Sequence, residues 1–285
     1  MTRIAAVLTC HNRIQKTLAC ISSMYAANLT DADLEVYLCD DGSTDGTGDA
    51  VRAAFPRVRV IKGDGNQYWC GGMRIAMREA AKIPYDFMLW LNDDVELSPD
   101  FLDVLLFAYN RAVTEHGGRE HVIVGAVINP LDGKLTYSGF RRLSSLHPAK
   151  LEKIAPDPAQ LVACDTMNGN CVLIPTAIVE LVGEIDRAYV QQIGDADYGY
   201  RCIEVGAKLW LAPRIVGTCS PNLRRLRWNN SDLSFTERLA LLNTPHGLPF
   251  RPWVHFMWRF GGAPAILLLI AGYIKQFGRS LGRGF

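Results

Sequence analysis

The chain has no acidic residue after Glu237, although Arg238, Arg251, Arg259, Lys275, Arg279 and Arg283 all follow it. Its eight cysteines, at 10, 20, 39, 70, 164, 171, 202 and 219, contain no Cys-x-x-Cys pair. Several, such as Cys39 and Cys171, lie in apolar strand-like runs, so reduced, buried thiols and a cytosolic compartment are expected. A formal net charge of +1 argues against a dedicated nucleic-acid binder. No low-complexity segment and no clear internal repeat occurs. The Gly63 to Gly72 region lacks Gly-x-Gly-x-x-Gly, and no Walker lysine pattern occurs, so neither phosphate-binding fingerprint is present. The unbroken apolar stretch Ala263–Ile274 is shorter than the ~20 residues that span a bilayer. A strand begins almost at residue 1, so no signal peptide is expected.

What remains is a chain of 285 residues, 49% hydrophobic and 21% charged, enough for a sizeable core in one large or two modest domains. Apolar strand-like runs at Ile4–Leu8, Leu34–Cys39, Val58–Ile61 and Phe87–Leu91 alternate with helical stretches near 14–27, 49–54 and 72–82. That alternation predicts an α/β fold, with a mainly parallel sheet and helices on both faces. The second half is less regular. Strand-like runs at His121–Ile128, Cys171–Pro175 and Lys208–Leu211, with a helix over 195–205, predict a mixed sheet continuous with the first half.

Polar clusters follow these strands, at the sheet edge where ligands bind in open α/β folds. Phe87–Leu91 runs into Asn92-Asp93-Asp94. Adjacent carboxylates there suit a divalent cation that bridges protein to substrate phosphates, although acids are also common in turns. The segment Asp40-Asp41-Gly42-Ser43-Thr44-Asp45-Gly46 is not an EF-hand loop, because the twelfth position from Asp41 is Arg52. It reads either as an Asx-rich turn or as a pocket in which a carboxylate accepts a base N–H. Gly71-Gly72, read as preceding a helix, would offer backbone N–H groups to a diphosphate. Asp195 and Asp197 fall in the first turn of a helix, where acids often only cap.

Taken in order, Thr9-Cys10-His11-Asn12-Arg13, Asp40 to Asp45, Leu91 to Asp94, Asn168-Gly169-Asn170 and Gly194-Asp195-Ala196-Asp197-Tyr198 resemble the inverting glycosyltransferases of family 2, which have a GT-A fold. The resemblance covers about residues 3 to 220. It implies that Thr9, Asn12 and Arg13 line a base and ribose pocket, with Asp40 and Asp41 beside the base. It places Gly71, Gly72 and Arg74 near the diphosphate or the donor sugar. Asp93 and Asp94 fall on the family's metal motif, Asp94 being the stronger ligand for Mg²⁺ or Mn²⁺. Asp195 would be the general base. Asn168, Gly169 and Asp197 would meet the acceptor; apart from the resemblance, Trp228, after the basic run Arg224-Arg225-Leu226-Arg227, could belong to a loop over the acceptor, the arginines otherwise reading as a solvated surface. Two departures stand out: Gly194 precedes Asp195 where an acid is usual, and Cys219 lies where many members carry a histidine.

The implied reaction is inverting sugar transfer from a UDP- or dTDP-sugar to a hydroxyl of a glycan or lipid-linked acceptor in bacterial surface polysaccharide synthesis. The expected organisation is a catalytic domain over 1–220, split near 110 into donor and acceptor halves, and a basic, aromatic helical extension over 221–285. That extension, from 250 on, suits peripheral contact with the inner face of a membrane, or else packs on the body or on a second subunit. A sugar-1-phosphate nucleotidyltransferase and a non-catalytic nucleotide-sugar-binding protein are the rival readings. The former's N-terminal Gly-rich signature is absent before Gly42.

Overall fold

The computed structural model describes residues 1–29, 32–222 and 234–281. The elements run β1 (Thr2–Cys10), α1 (Ile14–Tyr25), β2 (Ala32–Asp40), α2 (Thr47–Ala54), β3 (Arg59–Lys62), α3 (Tyr68–Ala80), β4 (Phe87–Leu91), β5 (Glu96–Leu97), α4 (Phe101–His116) and β6 (His121–Ile128). Then come β7 (Leu135–Tyr137), β8 (Gly139–Arg142), β9 (Leu151–Lys153), β10 (Val162–Cys164), β11 (Thr166–Met167), β12 (Cys171–Pro175), α5 (Thr176–Val182), α6 (Gly194–Glu204), β13 (Lys208–Thr218), α7 (Phe235–Leu242) and α8 (Phe250–Leu281).

One sheet holds the body together, in the order β10-β13-β6-β12-β4-β1-β2-β3, with β5 on β13 and β7 on β6. β1 pairs in parallel with β2 and β4, and β2 with β3, while β12 runs antiparallel between β4 and β6. Successive side chains of a strand point to opposite faces, so a sheet covered on both sides reads as a continuous apolar run. In β1, Ala5 and Val7 enter one core with Met73, Trp90 and Tyr198, while Ile4, Ala6 and Leu8 enter the other with Ile21, Leu89 and Phe101. Helices α3, α6 and α8 cover the first face, and α1 and α4 cover the second. A small sheet, β11-β8-β9, stands beside them.

The register places the chemistry. Cys10 pairs with Asp40, and Leu91 with Cys171, so the turns after β1, β2 and β4 and the residues before β12 meet at one edge. β13 extends to Thr218, past the expected end near Leu211, and carries Cys219 to that edge. A register shift between Leu211 and Ile215 absorbs Pro213, and a second follows between Ile215 and Gly217, in a strand that otherwise reads as ended. Helix α3 starts at Tyr68 rather than near Gly72.

Candidate active site

A continuous cleft opens at this edge. One part, of about 320 Å³, is lined by Thr9, Arg13, Asp41, Tyr68, Asp93 and Asp94 among others. An adjoining smaller part is lined by Asn168, Gly169, Ile193 and Asp195. Trp69, Asn92, Tyr137, Gln191, Asn222 and His246 border both parts.

Asp93 and Asp94 leave β4 and meet a cation of the protein's own. Arg13 Nη1 lies 3.0 Å from Asp93 Oδ1 and 2.9 Å from Asp94 Oδ2, and Lys16 Nζ lies 3.8 Å from the latter. The Thr17 hydroxyl donates to Asp93 Oδ2 at 3.2 Å. Burial raises the Asp93 pKa to about 6, against the pull of Arg13. Burial disfavours the Arg13 charge, but the two carboxylates outweigh it and raise its pKa. Cys219 packs against Asp94, with its Sγ 3.5 Å from Oδ1, and burial followed by the Asp94 charge pushes the thiol pKa up. The thiol therefore stays protonated and donates. Asn92 turns away: its Oδ1 accepts from Trp69 Nε1 at 2.7 Å, and its Nδ2 donates to Asn170 Oδ1 at 2.9 Å.

Among the described residues no group of three or more His, Cys, Asp or Glu side chains forms a metal cage. The donor set suits a hard cation held by one or two carboxylates and completed by phosphate oxygens, the usual manner of Mg²⁺ beside a nucleotide. Arg13 holds one oxygen of each carboxylate, Asp93 Oδ1 and Asp94 Oδ2.

At the other end, the first turn of α6 presents Asp195. Its Oδ2 accepts from Asn168 Nδ2 at 3.0 Å and from the Gly169 N–H at 3.1 Å, and its Oδ1 accepts from the Ala196 N–H at 2.9 Å. Gly169 allows the Trp69 ring to pack where a Cβ would stand. All three described non-glycine residues with positive φ, namely Asn12 (52°), Tyr68 (52°) and Ile193 (57°), lie at or next to cleft-lining residues. Such strained backbone collects at functional sites.

Several expected residues take other work. Asp41 is buried and organises a loop: it accepts N–H bonds from Gly65 (2.8 Å), Gln67 (3.2 Å) and Tyr68 (2.8 Å). That anchor starts α3 early and corrects the reading of Gly71 and Gly72. Both lie inside the helix, where the Gly71 N–H donates to the Gln67 carbonyl, so it is not free for a diphosphate. Gly72 instead lets α3 approach the Thr9 side chain. Arg74 donates to the carbonyls of Asp186 and Tyr189 rather than lining the cleft. Asn12 and Asp40 are not among the lining residues either. Asn12 Oδ1 accepts from the Thr44 N–H at 2.7 Å, and Asp40 Oδ1 from the Ser43 N–H at 3.1 Å.

Asp197 is a correction of another kind. It is fully buried, paired with Arg201 at 2.6 Å and accepting from the Tyr189 hydroxyl at 3.0 Å, so no acceptor reaches it. Trp228 lies outside the described residues. Trp69, Gln191 and His246 line the cleft without having been singled out in the sequence. No motif marks them, and His246 comes from the loop between α7 and α8.

The architecture is that of the GT-A glycosyltransferases. The structure aligns with GalNAc-T7 bound to UDP, GalNAc and Mn²⁺, at a TM-score of 0.57 and 14% identity, over 78% of this chain and 43% of that one. It aligns with a mannosyltransferase from Pyrobaculum calidifontis in complex with GDP-Man and Mn²⁺, at a TM-score of 0.54 and 16% identity, over 99% and 79%. The chain belongs to glycosyl transferase family 2, whose model matches residues 5–153. It is 25% identical over 210 residues to an N-acetylglucosaminyl-diphospho-decaprenol L-rhamnosyltransferase of Mycobacterium tuberculosis, covering 64% of this chain. The match spans 64% of that protein's length, just under two thirds.

Proposed function

We propose that the chain transfers a sugar, with inversion, from a UDP- or dTDP-sugar to a hydroxyl of a lipid-linked glycan acceptor in bacterial surface polysaccharide synthesis. One observation carries the reading. A single cleft holds a carboxylate pair beside a guanidinium at one end, and a separately held carboxylate, Asp195, at the other. Leaving-group stabilisation and proton removal need such a division.

The nucleotide would lie along Thr9, Arg13 and Tyr68, with its diphosphate toward Arg13 and Asp94. Asp94, helped by Asp93, would hold a Mg²⁺ or Mn²⁺ ion, which when bound offsets the charge that grows on the leaving diphosphate. Arg13 and Lys16 add positive charge from the protein itself. Trp69 and Asn92 stand between the two ends, where the donor sugar would sit. The two hydrogen bonds from Asn168 and Gly169 fix Asp195 Oδ2. That carboxylate takes the acceptor's hydroxyl proton while the acceptor oxygen bonds to the anomeric carbon and the anomeric carbon–phosphate oxygen bond breaks. Attack from the side opposite the leaving group inverts the centre. Asn168 Oδ1 is buried without a protein partner, which a bound substrate hydroxyl would satisfy.

The lipid-linked acceptor rests on the rhamnosyltransferase relative, whose name places its acceptor on diphospho-decaprenol. All eight cysteines are free and buried, which suits the cytoplasmic side of a membrane. The test is Asp195→Asn. Transfer should fall by about 10³-fold or more, with nucleotide affinity unchanged. Loss of nucleotide binding by a folded variant, or retained transfer, would refute the assignment.

A further inference from the structure

Helix α8 carries a surface that sugar transfer does not use. It is not a straight rod. Gly262 sits at φ 63° and ψ −158°, with Pro264 just beyond it. The chain turns back there: the Tyr273 and Phe250 rings are 5.7 Å apart, and the Tyr273 hydroxyl donates to the Leu248 carbonyl at 2.6 Å. Two arms, 250–261 and 263–281, therefore form a hairpin. By length and composition, Phe250–Ile274 is apolar enough to cross a membrane. Folded back, its second arm carries Ala263 to Ile274 before Lys275, about 18 Å at the α-helical rise, against ~30 Å of hydrocarbon. The hairpin suits lying in an interface better than crossing one.

The arms have two sides. Phe256, Met257 and Ala265 are fully buried against the body, with the Tyr200 ring 4.8 Å from Phe260. His255 and Arg259 reach Asp186 at 3.0 and 3.5 Å, and Arg259 also reaches Glu204 at 3.5 Å. The other side exposes Trp258, Leu267, Leu268, Ile270 and Ile274, with Leu267 at 69% and Ile274 at 65%. An apolar strip of this kind on a well-anchored hairpin calls for a covering. Charge indicates which one. After Glu237 the chain carries no Asp or Glu, and Arg251, Lys275, Arg279 and Arg283 flank the apolar run, while Arg259 is taken up by carboxylates of the body. Basic residues flanking an exposed apolar helix match an anionic headgroup layer. The loop leading into the hairpin also reaches the cleft: His246 lines it, and Gln192 Nε2 donates to the His246 carbonyl at 2.7 Å.

We propose that the α8 hairpin docks the protein on the surface of an anionic lipid bilayer. Leu267, Leu268, Ile270 and Ile274 enter the headgroup boundary, and the mouth of the cleft is held beside the membrane. This goes beyond the transfer reading, and its test needs no turnover. The purified full-length chain is sedimented with phosphatidylcholine vesicles with and without about a third phosphatidylglycerol. The variant Leu267→Gln/Leu268→Gln/Ile270→Gln/Ile274→Gln changes only exposed side chains, and circular dichroism checks its fold. Binding is expected to the anionic vesicles, weakened by salt and reduced about tenfold or more in the variant. Failure of the folded wild type to sediment overturns the proposal, as does equal binding by the variant. A vesicle-indifferent dimer that the variant converts to a monomer, seen by light scattering, also overturns it and assigns the face to a second copy.

Discussion

Asp93 is where the site works against the stability of its own fold. It is 4% exposed, and burial carries its pKa from 3.8 to about 6 although Arg13 opposes the shift. Between roughly pH 4 and 6 the folded protein keeps a proton that the unfolded chain has lost. The native state then binds more protons, so stability falls as pH rises through that window. A rise of about 2 in pKa corresponds to a penalty of about 3 kcal/mol, complete above pH ~6 and absent below pH ~4. Asp93→Asn keeps the shape and offers an oxygen to Arg13 and an NH₂ to the Thr17 hydroxyl. In EDTA, urea unfolding should show the variant more stable than wild type by about 1–3 kcal/mol at pH 8, with the difference vanishing near pH 4. The same variant should bind nucleotide and Mn²⁺ more weakly, a common exchange between stability and function. A variant less stable than wild type at pH 8, or a difference independent of pH, would show that the buried Asp93 charge does not burden the fold.

Arg13→Gln leaves Asp93 and Asp94 adjacent with only the more distant Lys16. Stability at pH 8 without metal should drop by about 1–3 kcal/mol, discounted for the part-exposed guanidinium. The rise in Tm on adding Mn²⁺ should exceed that of wild type, because the ion no longer competes with Arg13. An unchanged Mn²⁺ response would count against a shared position. Asp197→Ala strands the Arg201 guanidinium, whose side chain is 10% exposed, and should cost about 3–5 kcal/mol in urea unfolding. The milder Asp197→Asn should leave the acceptor KM unchanged, and a raised KM at normal stability would return Asp197 to the acceptor site.

Much of the sheet was legible because its strands are buried on both faces and read as apolar runs. β1, β2 and β4 fall close to their expected limits. The clusters after β1 and β4 showed where Thr9, Arg13, Asp93 and Asp94 would gather, whereas Asp195, in the first turn of α6, was expected there only through the family resemblance. The misreadings came from long-range partners. Gly71-Gly72 look like an open turn until Asp41 is seen capturing three N–H groups 24 to 27 residues away. Asp195 and Asp197 are two residues apart, yet helical geometry sends one to the cleft and the other into the core against Arg201. Helix α4 has an apolar face but no chemical motif to mark it in the sequence. The fold-back at Gly262 was hidden too, because an apolar run has the same composition whether straight or bent. His246 carries no local signal, since its place depends on how α7 and α8 return to the body.

In the proposed reaction the cleft binds a nucleoside diphosphate through a cation held at Asp94. Titrating the purified protein calorimetrically with UDP, dTDP and GDP, each with and without Mn²⁺, tests it most directly, with Asp94→Ala in parallel. UDP or dTDP should bind, Mn²⁺ should strengthen the binding, and Asp94→Ala should remove the Mn²⁺ effect. Mn²⁺-independent binding that Asp94→Ala leaves intact, or no binding by the folded protein, would contradict it.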